Sequence, residues 1–248
     1  MSLIVRSLEQ FRPHHQELRQ RLIRVFLALI VCSGVAYIFS ENIARFFMVP
    51  LFEASPHLDS LVYTSLPEAF LSYLKLSLLV GIVASFPFTL YQLWMFIAPG
   101  LRSHEKKFAV TVVFWATLLF GTGAFFALFG VLPRMLLYFM SYASESLEPL
   151  PKFGKYLTFV ARTVLAFGLS FEIPFLMVMA GKAGFVKAEY FRSKRLYFYA
   201  AIVFMAFLLT AGDFMATGLL AIPLFLLYEA GIFLTALFGK ARPETSEE

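Results

Sequence analysis

The chain has 248 residues, of which 60% are hydrophobic, 18% aromatic and 15% charged, with a formal net charge of +5. Soluble domains carry about a quarter charged residues, so this composition excludes an ordinary soluble protein and indicates an integral membrane protein. The positive charges lie between apolar runs, where membrane topology accounts for them and no nucleic-acid partner is needed. The single cysteine, Cys32, excludes an internal disulfide and a cysteine metal site.

Six apolar runs have the composition of membrane-spanning helices, for which about 20 residues are needed. The expected spans are, in chain order, 22–39, 70–97, 108–132, 156–181, 196–211 and 214–237. The fifth is short, whereas the second and fourth exceed the bilayer thickness and should tilt, kink or project. No internal repeat or linker interrupts the chain. We therefore expect an all-α integral membrane protein with one domain over residues 1–248 and a polar tail from about residue 239.

Lysine and arginine residues are unevenly distributed among the segments between the spans. One set of segments holds fifteen of them, and the other holds six at most. Cytoplasmic loops carry the excess of positive charge, so both termini should be cytoplasmic. The two long loops on the opposite side, 40–69 and 133–155, contain many prolines and aromatic residues. We expect them to form compact caps with short helices.

Several motifs occur in an order and spacing that together are specific. Before the first span stands HHQELRQRL, at the end of the second YQLWMFIAPGLRSHEKK, within the fourth FGLSFEIP, and between the fifth and sixth LLTAGDFMATGLLAIPLFLLYE. Over roughly residues 14–238 the chain resembles the TatC family, the multispanning core of the twin-arginine protein translocase. The resemblance implies a receptor in the cytoplasmic (inner) membrane that binds twin-arginine signal peptides. With single-span TatA- and TatB-type partners, and with further copies of itself, it would export folded proteins using the proton gradient.

The sequence departs from the family pattern in four places. His15 stands where the family usually has leucine, and Leu128 stands where an aromatic residue is common in the third span. The family's TPxD between the last two spans appears as TAGD, and its TSP-x-E-x-F before the second span appears as TSLPEAF. These changes concern local geometry and not family membership. The residues themselves offer no catalytic arrangement, no phosphate-binding loop and no histidine cluster with metal-ligand spacing, so we expect neither an enzyme nor a cofactor.

Charged residues on the cytoplasmic side are the first candidate site. Glu17 precedes the first span, and Glu105 lies in the first cytoplasmic loop. From the residues alone, these carboxylates balance neighbouring cations on a solvated face, because such pairs are common and individually weak. The family resemblance implies instead that Glu17, Arg19 and Glu105 bind the paired arginines of a signal peptide. A carboxylate can accept two parallel hydrogen bonds from a guanidinium.

Glu172 is the only ionisable residue between Arg162 and Lys182. At 1.5 Å per residue it lies about 15 Å from Lys182, near the midplane of a hydrocarbon core about 30 Å thick. It either ties two helices together or docks the transmembrane helix of a partner, and the second is favoured because polar groups at this depth are usually functional. A rival hypothesis is a proton-coupled small-molecule transporter with Glu172 as proton carrier. Such transporters usually show internal repeats, which this sequence lacks.

Other residues are candidates with a structural alternative. Gln92, in the second span, either connects helices or belongs to a peptide-binding rim, so it joins Glu172 as a candidate intramembrane docking residue. Asp213 could simply cap the sixth span. Glu229, towards the cytoplasmic end of that span, can reach headgroups or a basic loop. Small residues in the third span should permit close helix packing; they are Gly121, Gly123 and Gly130.

Overall fold

The computed structural model describes residues 2–55, 58, 60–97, 103–142, 149–210 and 212–239, with side chains from residue 16 onward except those of 97 and 103–109. These residues form helices joined by turns and short connections. In chain order the helices are α1 (Ser2–Ile38), α2 (Ser40–Ala54), α3 (Leu66–Ile97), α4 (Ser103–Phe126), a π-helix (Ala127–Val131), α5 (Leu132–Met140), α6 (Phe153–Lys182), α7 (Ala188–Ser193), α8 (Arg195–Leu209) and α9 (Phe214–Phe238).

Five helical stretches in the described part of the chain are long and apolar enough to cross a membrane. They are Gln16–Ile38, Leu66–Phe96, Val110–Met140, Phe153–Lys182 and Phe214–Phe238. They coincide with five of the expected spans, so the prediction of an all-α membrane protein is confirmed. At the place of the fifth expected span lies α8, which has only 15 residues. It is therefore about 22 Å long, shorter than the hydrocarbon core of a bilayer.

The third span continues beyond its predicted end. We expected it to stop at Leu132, but the helix runs on through α5 to Met140. The π-helix directly precedes α5. At the junction between them, the N–H of Leu132 donates to the carbonyl of Ala127, five residues earlier. This wider turn relieves the clash that a proline ring makes with the carbonyl four residues before it, so Pro133 does not end the helix. The predicted start of the second cap loop at residue 133 was therefore wrong.

Contacts along the chain define two compact units, residues 1–46 with 65–118 and residues 47–64 with 119–248. In the first unit, α1 packs along α3. The helices approach each other closely at Gly81, where an added Cβ would overlap Ser33. Inside a bilayer, where apolar burial does not drive helix association, such close packing between small residues holds helices together.

In the second unit, α6 packs against the π-helix and against α9. A Cβ at Gly123 would lie 2.6 Å from the carbonyl oxygen of Phe167 on α6. Further along α6, a Cβ at Gly231 of α9 would lie 2.6 Å from the sulfur atom of Met177. A Cβ at Gly121 would meet nothing within 4 Å, and Gly130 faces only a phenylalanine of its own helix. Of the glycines expected to allow close packing, Gly123 is the one at the helix contact.

The described parts of the two cap loops pair with each other within the second unit. The Val62 N–H donates to the carbonyl of Pro151 at 3.3 Å, and the Phe153 N–H donates to the carbonyl of Val62 at 2.9 Å. The hydroxyl of Tyr156 donates to the carbonyl of Phe47 at 2.7 Å. These bonds join α2 and the segment after it to the start of α6. In the described residues, the first cap contains one short helix, α2, and is bonded to the end of the second cap.

Candidate functional site

In the first unit, Glu17 binds an arginine of its own helix. The Nε and Nη2 atoms of Arg21 donate to the same oxygen, Glu17 Oε1, at 3.0 and 2.5 Å. A separation of four residues places both side chains on one face of α1. Among the described residues, no group donates to Glu17 Oε2, and the Glu17 side chain is 35% exposed. One carboxylate oxygen thus holds an internal guanidinium, while the other has no donor among the described side chains.

Arg21 also connects α1 to α3. Its Nη1 atom donates to Gln92 Oε1 at 3.1 Å. Gln92 is 5% exposed, so this hydrogen bond satisfies an amide oxygen that would be costly to leave unpaired. Of the two roles considered for Gln92, connecting helices or lining a peptide-binding rim, this hydrogen bond supports the connection between helices.

The structure does not join the other two predicted members of this site to Glu17. Arg19 is exposed, and no described hydrogen bond or ion pair links it to the Glu17 carboxylate. Glu105 lies near the start of α4, in the same unit as Glu17. Its side chain falls outside the described residues, so its position relative to Glu17 stays a prediction.

Glu172 lies on α6 in the second unit and is 6% exposed. Its Oε1 atom has no hydrogen-bond partner in the described part of the chain. The carboxyl interacts with the backbone of Phe120 on α4. A buried polar atom without a hydrogen bond costs about 1–3 kcal/mol. A donor that reached Oε1 would recover that free energy, but because the atom is buried the packing around it would have to open first.

At the opposite end of α9 from Glu229, Asp213 caps the helix. The Ala216 N–H donates to Asp213 Oδ1 at 2.7 Å, so the capping interpretation of Asp213 is confirmed. The turn before it contains Gly212 with a φ of +92°, a conformation that favours glycine. Beside this turn the hydroxyls of Thr210 and Thr217 share a hydrogen bond of 2.8 Å.

Glu229 ties α9 to α8. Its Oε2 accepts from Arg195 Nη2 at 2.6 Å, and its Oε1 accepts from the hydroxyl of Tyr199 at 2.5 Å. Of the two groups that Glu229 was expected to reach, the basic segment is the one it binds. Both carboxylate oxygens are satisfied, which favours a structural role for this residue.

The sequence of the chain matches a known protein family. The model of the family described as "Sec-independent protein translocase protein (TatC)" matches residues 13–223. The chain belongs to the TatC family. The membership predicted from the motifs is therefore confirmed.

Similar TatC proteins and structures cover nearly the whole chain. The TatC protein of Desulforapulum autotrophicum is 36% identical over 96% of this chain and 88% of its own length. That of Escherichia coli K12 is 34% identical over 95% of this chain and 93% of its own. A solved structure described as "Twin Arginine Translocase Receptor- TatC" has a TM-score of 0.81 and 36% identity, and the match covers 90% of this chain and 98% of that one.

The contact of Glu17 with Arg21 in this TatC chain agrees with the expectation that this carboxylate balances neighbouring cations, because Glu and Arg four residues apart on a helix commonly pair. Two further contacts, Thr210 with Thr217 and Arg195 with Glu229, were not predicted residue by residue. The contact between the threonines follows from the tight turn between α8 and α9. The contact of Arg195 with Glu229 joins residues 34 positions apart, which only the packing of α8 on α9 brings together.

Proposed function

We propose that the chain is the receptor subunit of a Sec-independent twin-arginine translocase and that Glu17 binds an arginine of the signal peptide. The observation that carries this proposal is the contact of Glu17 with Arg21. The carboxylate already accepts two N–H groups from a guanidinium, and its Oε2 has no donor among the described residues. An arginine of a signal peptide presents the same fork of donors. Glu105 accepts the second arginine, with Arg19 beside the pair.

In this proposal α8 is the fifth of six spans and both termini are cytoplasmic, in the inner membrane. Support comes from the charge distribution, with fifteen of the 21 lysines and arginines on the cytoplasmic side. The cap loops then lie outside. Cysteines introduced at positions 56 and 150 should react with an impermeant reagent from outside, and one at Ser103 only after the membrane is opened. Labelling of position 103 in intact cells would contradict this orientation.

Glu172, with Gln92 as a secondary candidate, docks the transmembrane helix of a TatA- or TatB-type single-span partner. Support comes from Glu172 Oε1, a buried acceptor with no donor among the described residues; a partner helix that opens the packing around it would supply a hydrogen bond within the bilayer. The assembled complex, containing further copies of the chain, would export folded proteins using the proton gradient. The transporter alternative, with Glu172 as proton carrier, gains no support from the family. A family of translocase components also agrees with the expectation that the chain is not an enzyme.

Charge reversal at the receptor carboxylates tests the proposal. Glu17→Lys and Glu105→Lys should abolish crosslinking to a twin-arginine precursor, because a cation then faces the incoming arginine. Glu189→Lys, a reversal of another exposed carboxylate on the same proposed face, is the matched control and should crosslink normally. All variants should insert and accumulate as the wild type does. Normal crosslinking in both receptor variants would overturn the assignment of the site.

A further inference from the structure

The segment between α6 and α8 combines exposed cations with exposed aromatic and aliphatic side chains. We call residues 182–198 the α7 platform. Its cations are Lys182, Lys187, Arg192, Lys194 and Arg195, all exposed, and its single acidic residue is Glu189. Only Arg195 is in a described ion pair, with Glu229. The platform therefore carries a positive charge that this part of the chain does not neutralise.

The platform is held firmly against the end of α9. Phe191 is 8% exposed and packs in an apolar cluster with Tyr228, Ile232 and Met177. The hydroxyl of Tyr228 donates to the carbonyl of Phe191 at 2.9 Å. Because the inner face of α7 is fixed in this way, its cations are presented from a defined surface.

The platform lies at the ends of two candidate spans. α6 ends at Lys182 and α9 at Phe238, and the Lys182 Nζ atom lies 5.6 Å from the centre of the Phe238 ring. Large apolar side chains next to the cations are almost fully exposed: Phe185 by 84% and Tyr197 by 70%. At the level where a span leaves the hydrocarbon, such side chains enter the boundary between acyl chains and headgroups. Cations beside them then lie at the level of the lipid phosphates.

We propose that the α7 platform is a binding site for the phosphate headgroups of anionic phospholipids. The surface is positive, so it repels the paired arginines of a signal peptide and cannot serve the same ligand as Glu17. Clusters of Lys and Arg at the ends of spans attract anionic lipids by about fivefold in affinity per cation. The exposed cations of the α7 platform would therefore bind lipid phosphates and not the signal peptide.

Native mass spectrometry of the purified full chain, titrated with phosphatidylglycerol or phosphatidylcholine, tests this inference. The double variant Lys187→Gln/Arg192→Gln should lose affinity for phosphatidylglycerol by roughly 25-fold, with no change for phosphatidylcholine. The charge-preserving variant Lys187→Arg/Arg192→Lys should bind phosphatidylglycerol as the wild type does. Arg45→Gln/Lys155→Gln is the matched control, since it removes two exposed cations elsewhere and should leave this binding unchanged.

Two outcomes would overturn the proposal. The first is equal loss of phosphatidylglycerol in the platform and control variants, which would mean that net charge alone attracts the lipid. The second is unchanged lipid binding together with loss of binding to a poly-glutamate peptide, which would assign the platform to an acidic protein segment. Twin-arginine peptide binding, measured on the same samples, should be unaffected in the platform variant. A failure of the signal-peptide proposal would therefore appear separately, as absent peptide binding in the wild type.

Discussion

Replacing Arg21 with glutamine should tighten the binding of a twin-arginine signal peptide. In the structure, two N–H groups of Arg21 occupy Glu17 Oε1, so a peptide guanidinium that uses both carboxylate oxygens must first displace it. Removal of Arg21 takes away this internal competitor and one positive charge beside the site. A glutamine at position 21 retains an amide that can still hydrogen-bond to Gln92.

The size of the effect follows from the strength of the internal pair. The side chains of Arg21 and Glu17 are 16% and 35% exposed, so the pair is screened by solvent and contributes at most about 1 kcal/mol. At that strength Glu17 is free of Arg21 in about one sixth of the molecules, and the apparent Kd of the peptide is raised about sixfold. Arg21→Gln should therefore lower the Kd by up to about sixfold. Arg21→Lys should lower it less, because an ammonium keeps the charge but not the fork of donors.

Fluorescence anisotropy with a labelled twin-arginine peptide and the protein in lipid nanodiscs gives the Kd directly. Arg24→Gln is the matched control, because Arg24 is an exposed cation of α1 with no described bond to Glu17. If charge alone matters, Arg24→Gln will tighten binding as much as Arg21→Gln. If Arg21→Gln weakens binding in a protein whose thermal unfolding is unchanged, Arg21 positions Glu17 for the peptide, and the competition argument is refuted.

Three further predictions concern the second unit. Gly123→Ala should lower the free energy of unfolding in detergent by roughly 1–3 kcal/mol, since its Cβ would lie 2.6 Å from the Phe167 carbonyl oxygen. Gly121→Ala is the control and should leave the free energy of unfolding unchanged, because its Cβ would meet nothing within 4 Å. Equal effects of the two substitutions would contradict the packing of Gly123 against α6. Asp213→Ala should lower the free energy of unfolding by about 0.5–2 kcal/mol because it removes the N-cap of α9, and Asp213→Asn should retain most of the wild-type stability. Thermal unfolding of the two variants measures the difference. Glu172→Ala should reduce crosslinking to single-span partners and export more than Glu172→Gln, with insertion and peptide binding intact. Full export by Glu172→Ala would make Glu172 structural at most.

Much of the fold could be predicted because apolar runs of bilayer length leave few alternatives to a membrane-spanning helix. The capping role of Asp213 could be inferred from the sequence as one alternative, since it depends only on residues next to it in the chain. The end of the third span could not be predicted, because a proline such as Pro133 normally stops a helix and no local sequence signal indicates the π-helix that accommodates it. The link from Arg21 to Gln92 spans 71 positions. It depends on how α1 and α3 pack, which sequence periodicity does not specify.

The pairing of the cap loops has a consequence for biosynthesis. Thr64 and Lys152, which share a hydrogen bond of 3.4 Å, are 88 positions apart in the chain. In the proposed orientation, the first cap therefore reaches the outer surface long before residues 151–153, which complete it, have left the ribosome. Until residues 151–153 arrive, the backbone groups of Val62 must be bound by water. A nascent chain arrested before that point should expose the first cap to proteases, and its release past residue 153 should protect it.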